Sequence, residues 1–211
     1  MSATLFYIHD PMCSWCWGFD AAWQSILKQL PKEVRLQTIL GGLAPDSDVP
    51  MHEDTQQFLK KVWMNIENTI PGTQFNYDFW LLCRPRRSTY PACRAVIAAR
   101  EMDPKLELKM VHAIQKAYYL QAKNPSDTAV LVQLAEAIGL DKIRFSKALN
   151  SAHVGRSLEE NIQTFDHFAT TLGVSGFPSL VLKTHKGDAV IPIDYNSSAS
   201  TLNAIRAHLA S

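Results

Sequence analysis

No stretch of the 211 residues approaches the run of about 18 apolar side chains that a membrane-spanning helix needs. Charge of one sign is also missing. The 21 basic and 20 acidic side chains leave a formal net charge of +1, which offers no footing for nucleic acid or an anionic membrane surface. At its start the sequence lacks a basic n-region followed by the apolar stretch of about 7–15 residues that marks a secretory signal. Met1-Ser2-Ala3 instead runs into the first apolar segment, and the expectation is a cytoplasmic protein. Cysteine is scarce, with four residues, and only one pair has metal-ligand spacing. Cys83 and Cys93 are nine residues apart in loop length, and no histidine pattern completes a site, so no metal is expected. No internal repeat, low-complexity segment or site for NADPH or flavin is apparent. Electrons would have to come from glutathione, another small thiol or another redox protein.

What is present is ordered. Residues 3–9, rich in aromatic and β-branched side chains, read as a β-strand closed by Asp10-Pro11. A helix is predicted from Cys13 to Leu30, stopped by Pro31. Residues 34–40 alternate apolar and polar before Gly41-Gly42, giving a second strand and a right-handed βαβ opening. Strand signals then disappear. Helices are predicted at 52–70, 89–102, 104–122, 127–138, 141–151 and 156–172, punctuated by Asp103-Pro104, Asp127, Gly139 and Asp141. Pro71-Gly72 separates the first of these from a less regular aromatic stretch, Phe75 to Trp80. Strands return at 179–183 and 189–193 around a His185-Lys186-Gly187-Asp188 turn, and a last helix covers 198–210. The expected fold class is α/β, in the order βαβ, a long helical insert, then αββα.

Cys13-Ser14-Trp15-Cys16 falls at the junction of the first strand and the first helix. Two cysteines separated by two residues at a helix N-terminus are the arrangement that dithiol–disulfide chemistry requires. Unsatisfied backbone amides and the helix dipole favour a thiolate at the first cysteine. The second, one turn on, lies close enough to close a disulfide. Late in the chain, Gly176-Phe177-Pro178-Ser179 places a proline at the mouth of a strand, where its missing N–H suits an edge or a special turn.

With these two motifs flanking a helical insert, the chain resembles the thioredoxin superfamily and, within it, the DsbA family, over essentially its whole length. Asp10-Pro11-Met12-Cys13-Ser14-Trp15-Cys16-Trp17-Gly18-Phe19 is similar to the branch whose motif reads CxWCWG, and Tyr90-Pro91-Ala92-Cys93-Arg94-Ala95-Val96 resembles its helical segment. The resemblance implies a thioredoxin-like domain formed by 1–44 and 155–211, with 45–154 as the inserted helical domain. It implies that Cys13 attacks, that Cys16 is buried and resolves, and that Phe177-Pro178 is cis and packs against the disulfide. Backbone at Phe177 would then pair with an extended substrate. Ser14-Trp15 between the cysteines supplies neither the histidine of the strongly oxidising members nor the Gly-Pro of thioredoxin. Trp15 is expected to be exposed and to contact substrate.

Asp10 and His9 invite a proton-relay role for Cys16, although the plainer reading is that Asp10-Pro11 ends the strand. Cys93 is read as a buried free thiol with an auxiliary redox role as the alternative, and Cys83 likewise as a free thiol. The candidate catalytic residues are thus Cys13 and Cys16, the candidate substrate-binding residues Trp15, Phe177 and Pro178, and the candidate auxiliary residues Asp10, Ser14 and Cys93. Arg84, Arg86, Arg87 and Arg94 read as a solvated basic face. Trp17, Trp23, Trp63, Trp80, Tyr118 and Tyr119 read as core. The expected partner is a protein or small molecule carrying a disulfide or dithiol. Two other functions compete. Kappa-class glutathione transferases and 2-hydroxychromene-2-carboxylate isomerases share the insert but generally lack the CxxC. A non-enzymatic client-binding module would leave the cysteines incidental.

Overall fold

A computed structural model describes residues 3–210. Strand β1 (Ala3–His9) is hydrogen-bonded on both edges: parallel to β2 (Val34–Leu40), with Ala3 opposite Val34 and His9 opposite Leu40, and antiparallel to β3 (Ser179–Thr184). Strand β4 (Gly187–Ile191) completes a four-stranded sheet in the order β2-β1-β3-β4. A central strand is covered on both faces, and β1 is apolar accordingly. Leu5 and Tyr7 face one layer with Phe19, Trp23 and Ile26 of helix α1 (Ser14–Gln29) and Leu202 and Ile205 of α9 (Ser198–Ala210). Ile8 faces the other, where Ile39 and Val181 meet Phe168 of α8 (Ala152–Leu172). The result is the mixed α/β arrangement expected from the sequence.

The remaining helices form a second core of their own. They are α2 (Glu53–Thr69), α3 (Phe79–Leu82), α4 (Tyr90–Met102), α5 (Glu107–Tyr119), α6 (Thr128–Ala137) and α7 (Lys142–Leu149). α4 is apolar around most of its circumference, and residues 95–99 are all fully buried, as a helix enclosed by others must be. Trp63 anchors this core, stacked on Phe75 at 4.8 Å and edge-on to Tyr118 and Tyr119. Trp17 of α1 stacks on Tyr119 at 5.7 Å and donates its indole N–H to the Gln74 carbonyl, so the CxxC helix is fastened to this core directly.

Four elements differ from expectation, the first being α3, which forms at the end of the stretch read as irregular. The segment 104–122 divides: Asp103 accepts from the Lys105 amide and caps a 3-10 turn, Pro104–Leu106, before α5 begins. α8 starts at Ala152 rather than 156, because the Ser151 hydroxyl accepts from the Val154 amide as an N-cap. The hairpin turn is shorter than drawn. Thr184 pairs with Gly187, whose φ of 131° suits a residue without a Cβ, and β4 ends before Pro192.

Candidate active site

β1 delivers the chain to the reactive motif through an extended turn. Asp10 accepts the Cys13 amide at its carbonyl, and Cys13 caps α1 with extended backbone (φ −79°, ψ 118°). Cys13 therefore sits at the helix end, 7% exposed, while Cys16, one turn inward, is 0% exposed. The Cys13 thiol donates to the Phe177 carbonyl at 3.4 Å. The Phe177–Pro178 peptide bond is cis, and this loop enters β3 alongside Cys13. Phe177 reaches over the end of β2, where a Cβ on Gly41 would lie 1.9 Å from its ring. Only glycine admits that ring.

A groove of about 260 Å³ opens beside Cys13. Its walls are apolar: Met12, Trp15, Leu43, Phe58, Val62 and Phe177 lie along it, with Arg86 and Arg87 at the rim. A larger cleft of about 750 Å³ lies along β2 and is lined by Arg35, Gln37, Lys105 and Glu160, but it contains no cysteine. Position next to a thiol, rather than size, selects the first.

Behind the motif the surroundings are sealed and polar. Burial pushes the Cys16 thiol well above the ordinary thiol range, followed by its contacts with Cys13, while a backbone hydrogen bond from Asp10 opposes the shift. His9 is fully buried and stacks on Tyr7 at 4.5 Å, and neither ring nitrogen has a hydrogen-bond partner among the described residues. Burial, then the nearby Arg100, lowers its pKa to about 3, so the imidazole is neutral. The Asp10 carboxylate is also fully buried. It accepts from Met12 N at 2.7 Å, Leu43 N at 2.8 Å, the Thr89 hydroxyl at 2.6 Å and the Cys93 thiol at 3.4 Å. Burial raises its pKa, and those hydrogen bonds offset only part of the rise.

The structure thus brings Cys13, Ser14, Trp15, Phe177 and the groove together, and it gives Asp10 far more to do than end a strand. Trp15 is half-buried rather than exposed, because its ring packs on Tyr195 at 5.2 Å. All four cysteines are free thiols. Cys83, far along the chain, donates to the Ala122 carbonyl. The arginines are only in part a solvated face. Arg86 pairs with Asp127 at 2.6 Å and Arg94 grips Asp46 through two bonds, leaving Arg84 and Arg87 exposed. Leu43, Phe58, Val62 and Thr89 were not foreseen as site residues. They lie on three separate segments, and apart from the i, i+4 spacing of Phe58 and Val62 on α2 no local pattern links them.

A sequence family described as Thioredoxin matches residues 6–199. The chain belongs to the thioredoxin family. Among solved structures, a Nitrosomonas europaea protein described as a candidate protein disulfide isomerase superposes with a TM-score of 0.85 at 25% identity, covering 100% of this chain and 98% of that one. The cytosolic disulfide reductase DsbM of Pseudomonas aeruginosa superposes at 0.74 with 25% identity, covering 98% and 97%, and DsbM has also been solved with GSH. Several DsbA proteins share the fold at lower identity. The ClpXP adapter protein SpxH of Halalkalibacterium halodurans is 24% identical over 159 residues, 74% of this chain and 51% of that protein. The chain spans about half the length of the SpxH proteins that it matches. This thioredoxin-family chain therefore carries the DsbA-like oxidoreductase fold. Among the described residues, no helix is long and apolar enough to cross a membrane.

Proposed function

We propose that the protein is a cytoplasmic thiol–disulfide oxidoreductase that reduces disulfides flanked by apolar residues. The observation carrying this reading is the asymmetry of the motif: Cys13 stands at the wall of an apolar groove, 3.4 Å from the Phe177 carbonyl, and Cys16 is sealed one turn behind it. The Cys13 thiolate attacks one sulfur of the substrate disulfide. That S–S bond breaks, a Cys13–substrate disulfide forms, and the departing sulfur leaves as a thiolate that takes up a proton. Cys16 then loses its proton and attacks the Cys13 sulfur, releasing the second substrate thiol and leaving a Cys13–Cys16 disulfide. Two molecules of glutathione return the pair to dithiol and leave as glutathione disulfide, and another redox protein can supply the same two electrons. The likeness to a cytosolic disulfide reductase supports the reductive direction and the compartment.

The test is the Cys13–Cys16 equilibrium in a glutathione redox series, with Cys13→Ser as control. A potential near about −270 mV is expected, and one near about −120 to −180 mV would reverse the direction of electron flow. If no Cys13–Cys16 disulfide forms anywhere in the series, the dithiol mechanism fails and the glutathione transferase or isomerase reading replaces it. The SpxH relatives support a second reading, in which the groove holds a protein client without chemistry. Client binding that survives replacement of both Cys13 and Cys16 by serine, together with no disulfide exchange in the native protein, would establish it.

A further inference from the structure

The buried carboxylate of Asp10 does not line the groove, yet three of its four hydrogen-bond donors among the described residues belong to residues that do. Met12 comes from the turn before α1, Leu43 from the loop after β2, and Thr89 from the residue before α4. No strand or helix joins these three segments. The Thr89 hydroxyl that donates to Asp10 at 2.6 Å also accepts the Ala44 amide at 3.1 Å, and the Thr89 and Tyr90 amides donate to the Ala44 carbonyl, so the carboxylate acts together with backbone bonds to draw in the loop after β2. The fourth donor, Cys93, approaches from inside α4. All four donors are neutral, and none is a cation that would commit the carboxylate elsewhere. A buried carboxyl that collects several neutral donors from separate segments fixes their mutual geometry through the network they share.

We propose that Asp10 is the positioning residue of the substrate groove: its carboxylate holds Met12, Leu43 and Thr89 in the arrangement that receives the apolar flank of a substrate, and Cys93 serves it as a hydrogen-bond donor rather than as a redox thiol. This inference rests on the reading of the groove as the substrate site. It assigns Asp10 to affinity, whereas a proton carrier for Cys16 would act on rate.

The experiment separates those roles. Affinity for a short peptide bearing apolar residues around serine, in place of cysteine, is measured on protein with Cys13 and Cys16 both replaced by serine. Asp10→Asn places an N–H₂ group against donors and is expected to weaken binding about tenfold. In the protein with native cysteines the same substitution raises KM to a similar degree, while kcat, its pH profile and the exchange equilibrium with glutathione stay within about twofold. Thr89→Val is expected to weaken binding several-fold and Thr89→Ser to restore it. Asp10→Asn combined with Thr89→Val should cost little more than Asp10→Asn alone, since both act through one carboxylate. Cys93→Ser, which keeps a donor, should bind as the native protein does. Unchanged affinity with a lowered kcat and a displaced alkaline limb would overturn the inference in favour of proton transfer. Additive losses in the double variant would overturn the shared-carboxylate argument. Failure of the unsubstituted groove to bind the peptide would instead remove the substrate-site reading, and this inference with it.

Discussion

The two sulfurs of the CxxC motif lie one helical turn apart and meet opposite surroundings. In front of Cys13 is an apolar groove open to solvent, where the thiol donates to the Phe177 carbonyl. Behind Cys16 is a closed interior containing a neutral histidine, a carboxylate and Tyr7, each fully or almost fully buried. The difference teaches how one dithiol divides its labour. On the proposed reaction, recognition and attack belong to the apolar front, where a substrate would displace water. On the same proposal restraint belongs to the back, where burial raises the pKa of the Cys16 thiol and so favours its protonated form.

The largest effect should come from separating the two sulfurs chemically. Cys13→Ser is expected to lower disulfide reduction by about three orders of magnitude or more, the scale of losing a covalent nucleophile. Cys16→Ser should keep the first attack and lose the second, so the protein accumulates as a mixed disulfide visible by intact mass. Equal inertness of the two variants, with no adduct on the second, would break the distinction between front and back.

His9 tests the back on its own. Its folded pKa of about 3 lies below the ordinary value of 6.5, so the unfolded chain takes up a proton that the folded one refuses. The sign follows from that. Stability is fully present above about pH 6.5 and falls by about 1.4 kcal/mol per pH unit below it, until the pH nears the folded value. His9→Phe keeps a ring against Tyr7 and removes the proton site. Between pH 7 and pH 5 its denaturant-derived stability should gain about 2 kcal/mol relative to the native protein. Parallel curves for the two proteins would show that the imidazole is partnered or hydrated in solution.

The front was less legible in the sequence than the back of the fold. β1, α1 and β2 follow from local patterns within a residue or so, because alternation, Pro31 and Gly41-Gly42 all act over a few positions. The same holds for Cys13 and Cys16, whose spacing is itself local. α3 went unseen because four residues are too few to show a helical period, and aromatic side chains around it mask what period there is. In the sequence Asp10 reads as a strand terminus or a proton relay for Cys16, and nothing local marks it as a hub for distant donors. Its carboxylate partners are 33, 79 and 83 residues away, apart from Met12 two residues on, and tertiary folding alone brings them to one oxygen pair. Trp15 is more buried than its local sequence suggests for a similar reason, since Tyr195 reaches it from the far end of the chain.

The smallest expected effect sharpens the front. Phe58 is 62% exposed on α2 and lines the groove, whereas Leu81 is 80% exposed on α3 and does not. Neither holds the fold together, so each can be removed without unfolding the protein. If the groove receives an apolar substrate flank, covering part of the Phe58 ring is worth about 1 kcal/mol, and Phe58→Ala should raise KM about fivefold for a peptide disulfide with apolar neighbours. Oxidised glutathione has no apolar side chain to place there, so its KM should stay unchanged in Phe58→Ala. Leu81→Ala should alter neither. An equal rise for both substrates would mean that Phe58 shapes access to Cys13 itself, and the apolar front would then be a gate rather than a reader of sequence.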